Sequence, residues 1–476
     1  MNLLALSRIA VMASAVLLVA AGLWPLVGLP QVMVSLGALF AGAAWLARTR
    51  PAVATPIVFL FAYAHYGVAR LVFGAELASM PFWLAAFTGL ALGGASWTRW
   101  EASEGWRVPL AWWATSVALT WPFFAARDLG YSAAPSMAAG PIVMTAALQM
   151  ALALWMDRHL APDERSGGTS MADGWWARAL AASALATGSM AIYQWLVDPS
   201  VLSGEPWVSL HRSVGMMGDA NPTGVAAGVW APLVWTLAPA GPVGLAAGGA
   251  AAVLLWLAAW VTGARTTIIL MAAGLCGLAM VVGRARGLSR RVMLGGAAVA
   301  GVAVGIAAVL AVSAVTRESP LGRLVTAMPR SSPGAAAYEL LWRRDGYGLA
   351  AVEAIREHPL VGVGVGRFVR ESTGYYQRLS GQPIPPDNAQ NFWRHTLAEQ
   401  GVFGLVPIVW LTLLALRGVV SRAGTLTALM MRVMLAGLGV ALVFGYPVQD
   451  AGIAVTMGAL VVAVERDRRA TRARAA

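Results

Sequence analysis

Residues 385–405 read PPDNAQNFWRHTLAEQGVFGL, and here polar and aromatic side chains run directly into a long apolar helix. Polar groups beside hydrocarbon are costly, so membrane proteins retain them mainly where they bind or react. The rest of the chain is largely apolar. This junction therefore predicts an all-α polytopic integral membrane protein with a polar site at the edge of the membrane.

The composition agrees with a membrane protein and excludes a soluble globular one. Of 476 residues, 58% are hydrophobic and 12% are charged, and the mean hydropathy is +0.67, which is too apolar and too poor in charge for a soluble domain. The net charge of +12 comes from arginine, because the sequence contains no lysine. Such an excess serves orientation and contact with anionic membrane lipid, so nucleic acid is not expected as a partner.

Apolar runs of about 20 residues predict about twelve to fourteen transmembrane helices. They divide the chain into an N-terminal transmembrane bundle at 1–315, one large outward loop with amphipathic helices at 316–401, and C-terminal transmembrane helices with a basic tail at 402–476. Arginines gather in alternate short connections and in the tail. Basic residues are held on the cytoplasmic side, so both termini are predicted to be cytoplasmic.

Two connections on the outward side differ from the others. One spans residues 197–221, and the other is the loop 316–401, which carries ten arginines where positive residues are normally scarce. Within the loop, the stretch from Tyr338 to Ile355 is amphipathic and predicts a helix that ends at His358-Pro359. The glycines that follow predict a turn whose backbone approaches a neighbour closely, without the frame of a dinucleotide site.

Arginines in these connections are candidate anion ligands. Arg265 stands at the head of a span and Arg212 at the mouth of another, and each is also explained by an ordinary boundary charge. The guanidinium group matches phosphate oxygens two at a time. If the two side chains converge, with Arg343 or Arg344 and Arg367 supplied by the large loop, they form a pyrophosphate clamp.

Two further sets of polar residues are candidates for chemistry. His395 and Glu399 are four apart on a predicted helix, so they share a face as either a proton shuttle or an ordinary surface pair. Asp219 lies just before Pro222, which suits a helix cap. No metal-binding spacing occurs and the single cysteine, Cys276, lies in an apolar run, so neither a metal nor a cofactor is expected.

Four motifs, taken together and in order, resemble the O-antigen ligase and polymerase superfamily of bacterial envelope glycosyltransferases. They follow Gln194 at the end of a span and read HRSVGMMGDANPTG, TGARTT, LWRRDGYGLAAVEAIREHPLVGVGVGRF and QNFWRHTLAEQGVFGL. The resemblance covers roughly residues 194–405. It implies that the large loop is periplasmic and that the protein resides in the bacterial inner membrane.

The activity that the resemblance implies is transfer of a glycan from an undecaprenyl-pyrophosphate carrier to a hydroxyl on a glycan or lipid acceptor, without metal or nucleotide. By motif, Arg212 and Arg265 grip the diphosphate and stabilise the charge that grows on it, and Arg343 or Arg344 positions the donor. Gln390, Asn391 and Asp219 are the further candidates for substrate binding.

The sequence departs from the family at one important position. Family ligases show His-Asn ahead of the Glu and two glycines, and that His is taken as the base, whereas this chain has Gln390 followed by Asn391. Glutamine takes no proton at neutral pH. The base is then His395, Asp387, Glu399 or Asp219, or the protein works by positioning as a polymerase does, or it is inactive.

A transporter or flippase of a lipid-linked or anionic substrate is the alternative from another class. That function calls for polar residues at the middle of the membrane and usually for internal repeats. The sequence shows no convincing repeat, and charges within the predicted spans are few. Glycan transfer is therefore the favoured hypothesis.

Overall fold

The computed structural model describes residues 3–23, 30–73, 79–93, 99–129, 135–161, 174–289 and 332–476. Within these ranges all regular structure is helical and no strand occurs, which confirms the predicted all-α class. The described helices are Leu3–Leu23, Pro30–Thr49, Pro51–Leu60, His65–Phe73, Ser79–Leu92, Glu104–Leu129, Pro135–His159, Trp175–Leu196, Glu205–Ser209, Ala220–Leu237, Pro242–Val261, Thr266–Ala285, Pro333–Tyr338, Tyr347–Glu357, Phe368–Ser380, Phe392–Val420, Leu426–Ala441 and Ala451–Ala473.

Three of the described helices are long and apolar enough to cross a membrane, and they are Pro242–Val261, Thr266–Ala285 and Phe392–Val420. A fourth span is reached if Pro51–Leu60 and the helix after it form one broken span. The predicted total of twelve to fourteen stays a prediction. The predicted span at 292–315, and residues 316–331 of the large loop, lie outside the described residues.

The chain folds into two compact units, each built from separate stretches of sequence. The first unit contains Met1–Val58, Leu77–Ser170 and Leu341–Leu414. The second contains Phe59–Glu76, Met171–Leu340 and Ala415–Ala476. The predicted division at residues 1–315, 316–401 and 402–476 describes where each segment lies relative to the membrane, which these two units do not test. It remains a prediction.

In the first unit, the predicted amphipathic helix from Tyr338 is interrupted at Arg344 and Asp345, which have positive φ, so only its second part forms the helix Tyr347–Glu357. The predicted end at His358 is confirmed, because His358 caps this helix. A second amphipathic helix, Phe368–Ser380, follows it. The two helices bury a common core that includes Ala351, Phe368 and Tyr375. This part of the large loop is therefore a folded helical subdomain.

The helix Phe392–Val420 breaks at Gly401, where the backbone has φ 61° and ψ −166°, a conformation that glycine alone adopts readily. The break leaves the carbonyls of Ala398 and Glu399, and the amides of Val402 and Phe403, without their i to i−4 partners. Such groups are expensive at the edge of a membrane unless other groups pair with them.

Residues 358–366, which we call the glycine loop, supply all four replacement partners. Val363 N donates to Ala398 O at 2.9 Å and Gly364 N to Glu399 O at 2.8 Å. In return, the amides of Val402 and Phe403 donate to the carbonyls of Pro359 and Leu360 at 2.9 and 3.0 Å. The predicted close approach of the glycines is thus to the helix backbone, and it fixes the turn that carries Glu399.

In the second unit, Gln194 binds two points of the connection 197–221 to the end of the helix Trp175–Leu196. Its side-chain oxygen accepts from the amides of Val214 and Gly215 at 2.9 and 2.8 Å. Its amide nitrogen donates to the carbonyls of Val201 and Gly215 at 2.7 and 3.1 Å. Because Gln194 is 1% exposed and makes all four bonds, it fixes the path of the chain that leads to Arg212.

Candidate functional site

Arg212 in the second unit is a buried cation held from three directions. Its side chain donates through Nε to the carbonyl of Thr262 at 2.6 Å and through Nη2 to Oδ1 of Asn221 at 2.7 Å. The guanidinium carbon lies 4.8 Å from the centre of the Trp207 ring. With the residue only 8% exposed, the charge is fixed in position before any ligand arrives.

Arg265 lies in the same unit, directly before the helix Thr266–Ala285. It is half-buried, and its guanidinium makes no hydrogen bond or ion pair with the residues that the structure describes. The carbonyl that Arg212 grips belongs to Thr262, which lies three residues earlier in the same turn. The two arginines are thus linked through one tight turn, and Arg265 has its donors available for an anion.

Asp219 takes the capping role that its position predicted. Its carboxylate accepts from the amide of Asn221 at 2.8 Å and begins the helix Ala220–Leu237. The same Asn221 side chain accepts from Arg212. Asp219 therefore positions a partner of Arg212 through the helix start.

His395 and Glu399 in the first unit form the predicted pair, with 3.2 Å between Nε2 and Oε1. The other ring nitrogen, Nδ1, accepts from the amide of Ala389 at 3.3 Å, so the ring proton lies on Nε2 and points at the carboxylate. Glu399 Oε1 also accepts from the amide of Phe368 at 3.1 Å. Both residues are buried, at 1% and 0% exposure, and this geometry favours a role in positioning.

Asp387 lies at the centre of a more open network in the same unit, which we call the Asp387 network. Gln390 donates its amide to Asp387 Oδ2 at 2.6 Å and accepts from Arg344 Nη2 at 3.3 Å. Asn388 donates to Asp387 Oδ1 through its backbone and side chain, at 2.7 and 3.0 Å. Burial raises the pKa of the Asp387 carboxyl, although its hydrogen bonds from Asn388 and Gln390 and the positive charge of Arg344 oppose the rise.

The remaining predicted residues have distinct positions in the first unit. Arg367 is buried and pairs with Glu371 at 2.6 Å, four residues along the helix that it precedes. Asn391 accepts from the amide of Arg394 at 2.9 Å and so caps the start of the long broken helix. Arg343 is exposed. Among the predicted donor ligands in the large loop, Arg344 donates to Gln390 and so joins the Asp387 network.

Strained backbone marks the same segments. Among the described residues, five that are not glycine have positive φ, and they are Leu202, His211, Arg344, Asp345 and Gln390. All five lie in the two connections singled out from the sequence. Each such conformation costs about 1–3 kcal/mol and persists where the surroundings hold it, which is typical of functional sites.

Sequence reasoning missed Trp342 and Arg394, which form a second stacked pair. The guanidinium of Arg394 lies 5.1 Å from the centre of the Trp342 ring, and its Nη1 donates to the Trp342 carbonyl at 2.5 Å. The tryptophan has 50% of its surface exposed, whereas Arg394 is 9% exposed. The one available signal was an aromatic residue beside the Arg343-Arg344 motif.

The helical fold and the long apolar helices define an all-α membrane protein, and this one buries several arginine side chains. The family model described as O-antigen ligase matches residues 250–409, about a third of the chain. This match agrees with the resemblance to the O-antigen ligase and polymerase superfamily that the motifs carry. No curated protein matches the chain significantly. The similarity supports a ligase-like or polymerase-like role in glycan transfer.

Proposed function

We propose that the protein transfers a glycan from an undecaprenyl-pyrophosphate carrier to a hydroxyl acceptor at the periplasmic face of the bacterial inner membrane. The observation that carries the proposal is the pair formed by buried Arg212, fixed by Thr262, Asn221 and Trp207, and Arg265, whose guanidinium has no hydrogen bond or ion pair within the described part of the chain. Such a pair suits a diphosphate, because the Arg212 cation is preorganised and the Arg265 guanidinium can donate its N–H groups to phosphate oxygens.

The reaction breaks the bond between the anomeric carbon and the diphosphate oxygen. The acceptor oxygen forms a new bond to that carbon, and the leaving polyprenyl diphosphate keeps the electron pair. Arg212 and Arg265 stabilise the negative charge that grows on the leaving oxygen. The diphosphate is already a good leaving group, so the proposal requires no metal and no nucleotide.

The acceptor hydroxyl must lose a proton, and we assign that proton to Asp387. Its carboxylate is partly exposed and held by Asn388 and Gln390, and burial moves its pKa towards that of a working base. Both ring nitrogens of His395 face partners inside the protein. His395 and Glu399 then position the segment that carries Asp387, and Gln390 orients the carboxylate.

The test is turnover of a purified undecaprenyl-pyrophosphate-linked oligosaccharide by the full-length protein in lipid nanodiscs, with lipid A–core or unlinked glycan as acceptor. Arg265→Ala and Arg212→Lys are each expected to lower transfer at least a hundredfold. Lysine keeps the charge of Arg212 but cannot reach Thr262 and Asn221 together. Arg356→Ala, which changes an exposed arginine on the helix Tyr347–Glu357, is the matched control and keeps full activity.

The two variants at the anion site are informative only if they still assemble, which thermal unfolding and size-exclusion chromatography of the nanodiscs report. Normal transfer by folded Arg265→Ala would contradict the proposal. Absence of turnover by the wild-type protein with any acceptor, whether the product is a longer chain or a capped acceptor, would favour an inactive relative. Full activity after chelation of metals is expected.

A further inference from the structure

Trp342 presents an aromatic ring at the surface of the first unit. It lies in the short π-helix Glu339–Arg343, which is followed by Arg344 at φ 48°, Asp345 at φ 59° and Gly346 at φ 98°. Half of the tryptophan is exposed. An exposed aromatic ring of this size offers a ligand a flat apolar face.

Contacts beneath the ring hold it in one orientation. The Arg394 guanidinium lies over the ring and also donates to the Trp342 carbonyl, so one side chain fixes both the backbone and the aromatic plane. Only glycine fits at position 348, because a Cβ atom there would overlap the Trp342 carbonyl and the Arg394 guanidinium. The exposed face is therefore preorganised, and a ligand that stacks on it pays little to order it.

Trp342 is connected to the Asp387 network through residues close to it in the sequence. Arg344, two residues after Trp342, donates to Gln390, which holds Asp387. On the other side, Arg394 is anchored by Asn391, the residue next to Gln390. The same short segments thus supply both the aromatic face and the carboxylate to which we assign the acceptor proton.

We infer that Trp342 is a subsite for a sugar ring of the acceptor. A pyranose has an apolar face of C–H groups that stacks on an aromatic plane, and its hydroxyls remain free to meet polar neighbours. A guanidinium on the ring and a carboxylate held by the adjoining segment suit a hydroxylated, largely uncharged ligand. This inference rests on the proposed function, since it names the ligand that would bring a hydroxyl to Asp387.

The test measures binding separately from transfer. Full-length protein in nanodiscs is applied to an array of bacterial surface oligosaccharides, and the strongest ligand is then titrated by calorimetry without any lipid-linked donor. Trp342→Ala is expected to weaken binding about tenfold, and Trp342→Phe, which keeps an aromatic face, is expected to restore most of the affinity. In turnover, Trp342→Ala raises the KM for acceptor more than it lowers kcat.

Trp175→Ala is a closely matched control. Trp175 is 59% exposed, and the guanidinium of Arg178 lies 5.1 Å from the centre of its ring, as in the Trp342 pair. Its removal is expected to leave oligosaccharide affinity unchanged. Asp387→Asn provides a second control, because it is expected to stop transfer while binding persists.

The outcomes separate this inference from the proposed function. If the wild-type protein binds an oligosaccharide through Trp342 but transfers nothing, the subsite stands and the transfer proposal falls. If transfer proceeds and Trp342→Ala has the wild-type KM for acceptor, the subsite is wrong. It is also wrong if no oligosaccharide binds, if only donor affinity falls, or if Trp342→Ala merely lowers thermal stability in lipid, as expected for a membrane-belt tryptophan.

Discussion

Replacing Gly362 with alanine is the sharpest test of the way the glycine loop holds the broken helix. Gly362 has φ 68°, and a Cβ atom there would overlap the Glu399 carbonyl and lie 2.5 Å from the Gln400 amide nitrogen. The left-handed backbone costs an alanine about 1–2 kcal/mol. Moving the loop away also weakens the bonds of Val363 and Gly364 to the helix, each worth about 1 kcal/mol.

These contributions sum to about 3 kcal/mol of lost local stability. Since about 1.4 kcal/mol is a factor of ten, amides that depend on the contact are expected to exchange hydrogen about a hundredfold faster. The assay is hydrogen–deuterium exchange with mass spectrometry on the nanodisc-bound protein, followed on peptides that contain Val402 and Phe403. We also expect loss of transfer activity, because Glu399 lies in the displaced turn.

Gly374→Ala is the matched control for Gly362→Ala. Gly374 lies within the helix Phe368–Ser380, and a Cβ atom there meets no described atom within 4 Å. Alanine is favoured over glycine in a helix by about 0.5–1 kcal/mol, so this variant is expected to be slightly stabilised. Unchanged protection of Val402 and Phe403 in Gly362→Ala would refute the view that the loop holds the break.

Two further substitutions test other parts of the site. Burial raises the pKa of Asp387, so the native fold holds its proton more tightly than the unfolded chain does, and the stability that this contributes is lost as pH rises through the folded-state pKa. The rate of transfer should therefore rise with pH through a midpoint above about 4, the ordinary carboxyl value. Asp387→Asn should be inactive, yet no less stable than the wild-type protein at neutral pH. A flat profile of transfer rate between pH 4 and 8 would contradict the assignment of Asp387 as the base. Gln194→Ala removes the partners of four backbone groups and is expected to cost more than 3 kcal/mol, seen as a lower thermal midpoint. The control is Gln377→Ala, which changes an exposed glutamine on the helix Phe368–Ser380 and is expected to keep the wild-type midpoint; equal midpoints for both variants would show that Gln194 does not hold the connection 197–221.

Hydropathy predicted the class of fold because burial of apolar helices in a membrane is decided by composition, without knowledge of partners. The helix that ends at His358 was predicted for a similar local reason, since a proline follows directly. The break at Gly401 was not predicted. Nothing in a local pattern shows that the glycine loop, about forty residues earlier, will replace the missing hydrogen bonds.

The candidate site was predicted unevenly for the same reason. Motifs picked out Arg212, and spacing placed His395 beside Glu399, because residues four apart on a helix always meet. The stacking of Arg394 on Trp342 joins residues 52 positions apart, which spacing cannot reveal. A buried arginine at the start of a helix gives no sign in the sequence that its partner is an aromatic ring.

The two arginines of the proposed anion site are held in different ways, and the difference would allow such a site both to bind and to release a diphosphate. Arg212 is fixed by a carbonyl, an amide oxygen and an aromatic ring, so its charge stays in place whether or not a diphosphate is present. Arg265 has no such contact among the described residues, and its side chain is free to follow the ligand. A fixed guanidinium needs no reorganisation when negative charge develops on the leaving oxygen. A mobile guanidinium can move away from the diphosphate at little cost when the carrier departs. Loss of Arg212 should therefore act mainly on kcat, and loss of Arg265 on both kcat and the affinity for the donor.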